Sequence, residues 1–295
     1  MKTQLFLMAA LVFGCTGGPQ ERPLDTPTSG SIRIAVDESL RPLLEAEVNA
    51  FTSIYRKADI RVDYVSESEA VDLLLKDSVR LVVLTRPLSA DERSVITAQK
   101  ITPTDVTVAR EGIALICNKD NSDTVFECND LAERLSAAKG KGQDIVFDHP
   151  NSGIVRYLMD SVLHADKLPA NWYALKSNQG VIDHVSKNKG AMGLIGASWI
   201  SDSDDTTTHR FLNIVNVIGI GSNGKYYQPY QAYIAQDLYP LTRDIIISSR
   251  EPRSGLGSGF MSFVAGDKGQ RIALKSGLVP ATMPLRIVEI NHEPF

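Results

Sequence analysis

The sequence predicts an α/β fold of two doubly wound lobes joined by a two-strand hinge, with a ligand cleft between them. Three observations carry this. Strand-like and helix-like patterns alternate as β-α-β-α-β from Ser31 to Leu84. The chain has 295 residues, and single hydrophobic cores stop growing at about 250 to 300 residues, so two linked half-domains are the natural reading. Late in the chain, the apolar run Asp244-Ile245-Ile246-Ile247-Ser248 has the character of a return crossing. Paired with Gly112 to Cys117, it is expected to form the hinge. Lobe 1 then spans 31–114 plus 243–295, and lobe 2 spans 115–242.

The first lobe opens with a strand from Ser31 to Val36, β-branched at Ile32, Ile34 and Val36, which stops at Asp37-Glu38-Ser39. Leu40, Leu43, Leu44, Val48, Phe51 and Ile54 follow at helical spacing, with Ser39 placed as the N-cap. A strand from Asp59 to Val65, a helix through Ala70 to Leu75 and a strand from Arg80 to Leu84 complete the unit, which Thr85-Arg86-Pro87-Leu88 breaks. In such a sheet the crevice lies beyond the carboxyl ends of the strands. That brings Ser39 and Thr85 together.

The second unit has a strand from Asp144 to Phe147, a turn at His149-Pro150-Asn151, and a helix from Gly153 to Leu163 with Ser152 as its N-cap. A helix from Gly180 to Lys187, a strand from Ala191 to Ile195 and a strand-like stretch from Phe211 to Ile218 follow. The last region reads as a helix carrying Phe260, Phe263 and Val264, a capping-box-like restart at Asp267-Lys268-Gly269-Gln270, and a stop at Gly277.

Ahead of the body, residues 1–14 have the layout of an export signal, with Lys2 giving a positive start and Leu5 to Phe13 an apolar run too short to span a bilayer. Residues 15–30 are rich in Gly, Pro, Thr and Ser, the composition of a flexible tether. Val12-Phe13-Gly14-Cys15 resembles a bacterial lipobox, which implies cleavage before Cys15, its lipidation, and a periplasm-facing protein anchored in the cell envelope.

The formal net charge of -4 gives no basic surface for nucleic acid. The five histidines show no metal-ligand spacing. No G-x-S-x-G nucleophile elbow occurs. Gly219-Ile220-Gly221-Ser222-Asn223-Gly224 matches G-x-G-x-x-G but opens no helix, and reads as a turn. No catalysis, metal or cofactor is expected, and a monomer is. Cys117 and Cys128 either form a disulfide or stay free, with Cys117 a small core residue.

Several segments, in collinear order, resemble the phosphate-binding proteins of ABC transporters, the PstS-like family. They are Ile32 to Leu44, Val82 to Leu88, Asn151-Ser152-Gly153, Gly190 to Ile195, Tyr239-Pro240-Leu241-Thr242-Arg243, and Phe260 to Pro280. The resemblance implies a type II periplasmic-binding-protein fold that closes on one dehydrated oxyanion and delivers it to a membrane permease. Carried over by position, Ser39, Thr85, Ser152 and Gly153 are the ligand-binding candidates. Three departures stand out: Asp148 occupies the place of the family's arginine four residues ahead of the Ser-Gly pair, Ile154 replaces its threonine, and Thr85 stands where some of these proteins have an aspartate that accepts the proton of the ligand, so that rejection of fully ionised sulfate is not implied. Arg86, then Arg156 and Arg41, are candidates for the missing guanidinium, which suits phosphate as a bidentate fork. Because of these departures, a sensor or adaptor in an envelope complex is the alternative to transport.

Overall fold

The computed structural model describes residues 25–136 and 143–284. The expected signal, Cys15 and most of the tether lie outside them. Strand β1 (Ser29–Asp37) leads through a 3-10 turn (Glu38–Leu40) into helix α1 (Arg41–Ile54). Strand β2 (Lys57–Val65), α2 (Glu67–Leu75), β3 (Leu81–Leu84) and α3 (Ala90–Ala98) follow. Strand β1 pairs in parallel with both β2 and β3, as the alternation predicted. Its central place gives it apolar residues on both faces, with Ile32, Ile34 and Val36 in one core and Ala35 in another.

The long strand β4 (Thr104–Asn118) joins the two halves, and the remaining elements follow it: β5 (Val125–Glu127), α4 (Leu131–Leu135), β6 (Asp144–Phe147), α5 (Gly153–Leu158), β7 (Trp172–Ala174), α6 (Asn178–Lys187), β8 (Ala191–Gly196), α7 (Thr206–Ile214) and β9 (Val215–Val217). A small ribbon, β10 (Gly219–Ser222) and β11 (Lys225–Tyr227), precedes α8 (Gln231–Ala235), β12 (Thr242–Ser249), α9 (Leu256–Ala265), α10 (Asp267–Lys275) and β13 (Val279–Pro280). The main sheet runs β2-β1-β3-β12-β4-β8-β6-β7, with β9 and β13 also on β4. No described helix is long and apolar enough to cross a membrane.

The hinge differs in register from the expected one. Residues 104–112 of β4 pair with β12, and residues 113–118 pair with β8 and β9. So β4 changes partners at Gly112/Ile113, and Gly112–Cys117 does not lie along Asp244–Ser248. The reason is length: β4 is 15 residues long, enough to belong to both halves, and its first part offers β12 the longer ladder.

Four local expectations are corrected. Residues 25–30, expected within the tether, are packed on the body, where the Asp25 carboxylate accepts the Leu256 N–H and pairs with Arg80 and Arg253. The stretch 211–218 is the end of α7 followed by β9, because the Asp205 side chain caps the helix start at Thr207 and Thr208. The 153–163 helix is α-helical only to Leu158 and widens to a π-turn at Met159–Leu163. The restart at Asp267 has no side-chain cap, since the Gln270 amide turns inward to the Val108 and Val264 carbonyls. Gly277 does stop α10, with φ of +76°.

Candidate functional site

Parallel pairing of β1 with β3 sets their carboxyl ends side by side, which places the Asp37-Glu38-Ser39 turn next to Thr85. From the other half, the loop after β6 brings Ser152, Gly153 and Arg156 against them. A Cβ added to Gly153 would lie 2.3 Å from Thr85 Oγ1, 2.8 Å from Glu67 Oε2 and 3.1 Å from Asp37 Oδ2. Glycine is required at this contact because backbone meets side chain with no room between them. Ser39, Thr85, Ser152 and Gly153 are therefore gathered in one buried cleft.

What fills that cleft is the protein itself. The Asp37 carboxylate accepts the Ser39 N–H at 3.0 Å and its hydroxyl at 2.5 Å through one oxygen, and the Gly153 N–H at 2.8 Å through the other. The Glu67 carboxylate accepts the Thr85 N–H at 2.9 Å, its hydroxyl at 2.6 Å, and Arg156 Nε at 2.6 Å. These are the donors that an oxyanion would use. Ser39 is accordingly not the N-cap of α1: a charged oxygen two residues earlier outcompetes its hydroxyl for the free N–H groups. Ser152 is an N-cap, its hydroxyl accepting the Val155 N–H at 3.4 Å.

The guanidinium candidates separate clearly. Arg86, first in order from the sequence, forks onto Glu92 at 2.7 Å through each terminal nitrogen and only approaches Glu67, at 3.5 Å. Glu92 is held there by its capping box with Ser89. Arg156 does face the cleft, bridging Glu67 and Thr85. Arg41 lies over the Tyr64 ring at 4.0 Å and beside Glu38 at 3.5 Å.

The cation at the heart of the cleft is Arg243, which sequence reasoning quoted within a family segment but did not single out. It is buried, donates Nη2 to Ser39 Oγ at 2.8 Å and to Glu111 at 2.6 Å, and adds Nε to Glu111 at 3.1 Å. Its Nη1 has no partner among the described residues. Glu38, Glu67, Glu111, Asn178, Ser198 and Trp199 were also missed. Asn178 donates its N–H and side-chain amide to Glu38 at 3.0 and 2.5 Å. Ser198 Oγ and Trp199 Nε1 donate to the Ser39 carbonyl at 3.1 and 3.0 Å.

Burial raises the Asp37, Glu38 and Glu111 carboxyls above their usual range, against the pull of neighbours that include Arg243 for Asp37 and Glu111. Burial acts on Glu67 in the same direction, but Arg156 and the Thr85 donors outweigh it and hold Glu67 low. Asp148 is the most exposed to this conflict. Burial and the Asp37 charge push it up to about 7, against the pull of the Ser152 hydroxyl and the His149 N–H.

Among the described residues no cluster of His, Cys, Asp and Glu has the makings of a metal site. Cys117 and Cys128 are both free thiols, with Cys117 buried in the core. The glycine-rich segment 219–224, expected to be a turn, is strand β10 followed by the two-residue turn of the β10–β11 ribbon, with positive φ at Asn223 and Gly224.

A family model described as a PBP superfamily domain matches residues 23–268. The phosphate-binding protein PstS of Staphylococcus aureus is 22% identical over 293 residues, covering 93% of this chain and 86% of its own length. A Clostridium perfringens protein, assigned as a phosphate ABC transporter substrate-binding protein and solved with bound phosphate, superposes with a TM-score of 0.72 at 18% identity, covering 86% of this chain and all of its own. An ABC-type phosphate transport receptor from Vibrio cholerae gives a TM-score of 0.61 at 18% identity over 85% of this chain. Matched over most of its length and sharing the fold of these receptors, this chain belongs to the PBP superfamily, with the type II periplasmic-binding architecture.

Proposed function

We propose that the protein binds phosphate, or a similar tetrahedral oxyanion, in the cleft between lobe 1 (31–114 plus 243–295) and lobe 2 (115–242), and delivers it to an ABC-type permease. Ser39, Thr85, Ser152, Gly153 and Arg156 are the proposed contacts, Arg86 lies at the rim, and Arg243 joins them. This is binding without catalysis, in keeping with the phosphate-binding relatives. The observation that carries the reading is Arg243: a buried guanidinium on Ser39 with one nitrogen unpartnered among the described residues. A buried donor without an acceptor is costly unless something supplies one. Hydrogen phosphate or a similar oxyanion supplies that acceptor.

The protein is proposed to be a monomer in the cell envelope, tethered through a lipid on Cys15 after removal of residues 1–14. Metabolic labelling with a lipid analogue, lost in Cys15→Ala, tests the anchor. Titration calorimetry of the ligand-stripped protein with phosphate and sulfate tests the ligand. Saturable heat with phosphate is expected, the sulfate titration shows whether the site discriminates, and no heat with either overturns the reading.

A second reading, a sensor or adaptor in an envelope complex, is favoured by one observation: the halves are bridged by the protein's own carboxylates, through Asp37–Gly153, Glu67–Arg156 and Glu38–Asn178. Co-purification of a stable envelope partner that survives Ser152→Trp supports it. Loss of phosphate binding in the same variant supports transport.

A further inference from the structure

Two carboxylates, Asp37 and Glu67, hold the donors that converge in the cleft. We infer that Asp37 and Glu67 are built-in occupants of the oxyanion site, closing the lobes in the absence of ligand, so that an anion binds only by displacing them. This rests on the oxyanion reading of the cleft and specifies how that site is regulated.

The argument begins with donor accounting. Each carboxylate takes both the N–H and the hydroxyl of one candidate residue on its own side, Ser39 for Asp37 and Thr85 for Glu67. Each then takes one donor from across the cleft, Gly153 N–H for Asp37 and Arg156 Nε for Glu67. The two groups thus carry the pattern of a bound tetrahedral anion, with several short donors per charge and contributions from both lobes. An oxyanion cannot share these positions. Gly153 lies so near that a methyl on it would meet Thr85 Oγ1 at 2.3 Å, so the two walls touch where these donors converge.

Closure normally follows ligand binding because the ligand supplies the contacts that differ between open and closed states. Here the contacts are intramolecular, and Asn178 on Glu38 together with Ser198 and Trp199 on the Ser39 carbonyl add to them. A partner that reads the closed form would find it without ligand. Anion binding therefore has to break bonds before it makes them, and its apparent affinity is lowered by the fraction of molecules in which the cleft is shut.

The experiment compares wild type, Asp37→Ala, Glu67→Ala and the double variant, all stripped of ligand, by small-angle scattering and by calorimetry with inorganic phosphate. Stripped wild type is expected to have the compact radius and to keep it when phosphate is added. The double variant is expected to be expanded without ligand, to contract with phosphate, and to bind phosphate at least tenfold more tightly than wild type. Stripped wild type as expanded as the double variant overturns the inference. So does weaker phosphate binding in both single variants, since the carboxylates would then be ligand-holding acceptors. Should the alanine variants fold poorly, Asp37→Asn and Glu67→Gln keep the side-chain volume and remove the charge, and the same outcomes apply. If neither wild type nor variant binds phosphate, the phosphate reading fails, while the scattering comparison still decides whether these two residues hold the lobes shut.

Discussion

The two walls of the cleft are built from opposite chemistry. The lobe 1 wall presents acceptors, the carboxylates of Asp37, Glu38 and Glu67 and the carbonyl of Ser39. The lobe 2 wall presents donors, from Gly153, Arg156, Asn178, Ser198 and Trp199. A receptor for a free oxyanion would line both walls with donors. Complementarity between the walls means that this cleft is satisfied by closing on itself, and two side chains cross the pattern: Arg243, a cation within the acidic wall, and Asp148, an acid within the donor wall.

Arg243 gives the largest expected effect. Arg243→Met leaves Glu111 buried without its charge partner, a change that costs roughly 3 to 5 kcal/mol when one member of a buried pair is removed. Urea denaturation should show this loss, and adding Glu111→Leu should restore most of it. Stability unchanged in the single variant would mean that the acidic wall needs no cation.

Glu47 tests whether acidity in lobe 1 matters away from the cleft. It lies in the buried stripe of α1 with Leu43, Leu44 and Phe51, its oxygens are unpartnered among the described residues, and burial pushes its carboxyl up to about 9. The folded protein therefore keeps the Glu47 proton while the unfolded chain releases it near the ordinary value of 4.5. Stability is lost as pH rises from there to about 9, by an amount on the order of a few kcal/mol. Glu47→Gln should flatten that decline in melting temperature without altering anion binding. A decline identical to wild type would assign it elsewhere.

Gly153→Ala drives a methyl into the contact between the walls. Overpacking of this kind costs about 1 to 3 kcal/mol, so the self-closed cleft should open and the stripped protein should expand while the separate cores remain folded. Small-angle scattering beside circular dichroism checks both halves of that statement.

Asp148→Asn is the smallest test and the one most dependent on pH. Wild-type Asp148, beside Asp37 and Glu38, gains its charge as pH rises through about 7 and then repels an incoming anion. The variant should bind phosphate about tenfold more tightly than wild type at alkaline pH, with the gap narrowing at acid pH where wild-type Asp148 holds its proton. Weaker binding in Asp148→Asn at every pH would instead make the carboxylate an acceptor for the ligand's own proton.

Much of the framework could be read from periodicity. The β1-α1-β2-α2-β3 unit and the convergence of Ser39 with Thr85 follow from alternation of apolar patterns, because parallel strands in a doubly wound sheet deliver their carboxyl ends to one crevice. The rest resisted for identifiable reasons. Helix α3 was missed since Ile96 is its one buried residue, which leaves no stripe to detect. Helix α7 was read as a strand since Phe211, Ile214, Val215, Val217 and Ile218 crowd together where a helix end meets β9. The hinge register was misjudged because β4 belongs to both halves, and sequence order cannot say where a long strand exchanges partners.

The sequence by itself determined the fold class, the loops that meet in the cleft, and the hydroxyl and backbone donors those loops carry, since strand order and turn chemistry are local properties. Only the tertiary structure decided what those donors hold. Asp37 and Glu67 are ordinary turn and helix-start acids when read in line. They become occupants of the site only when chain segments more than a hundred residues apart, as Asp37 and Gly153 are, are pressed together and burial makes every unshared donor costly.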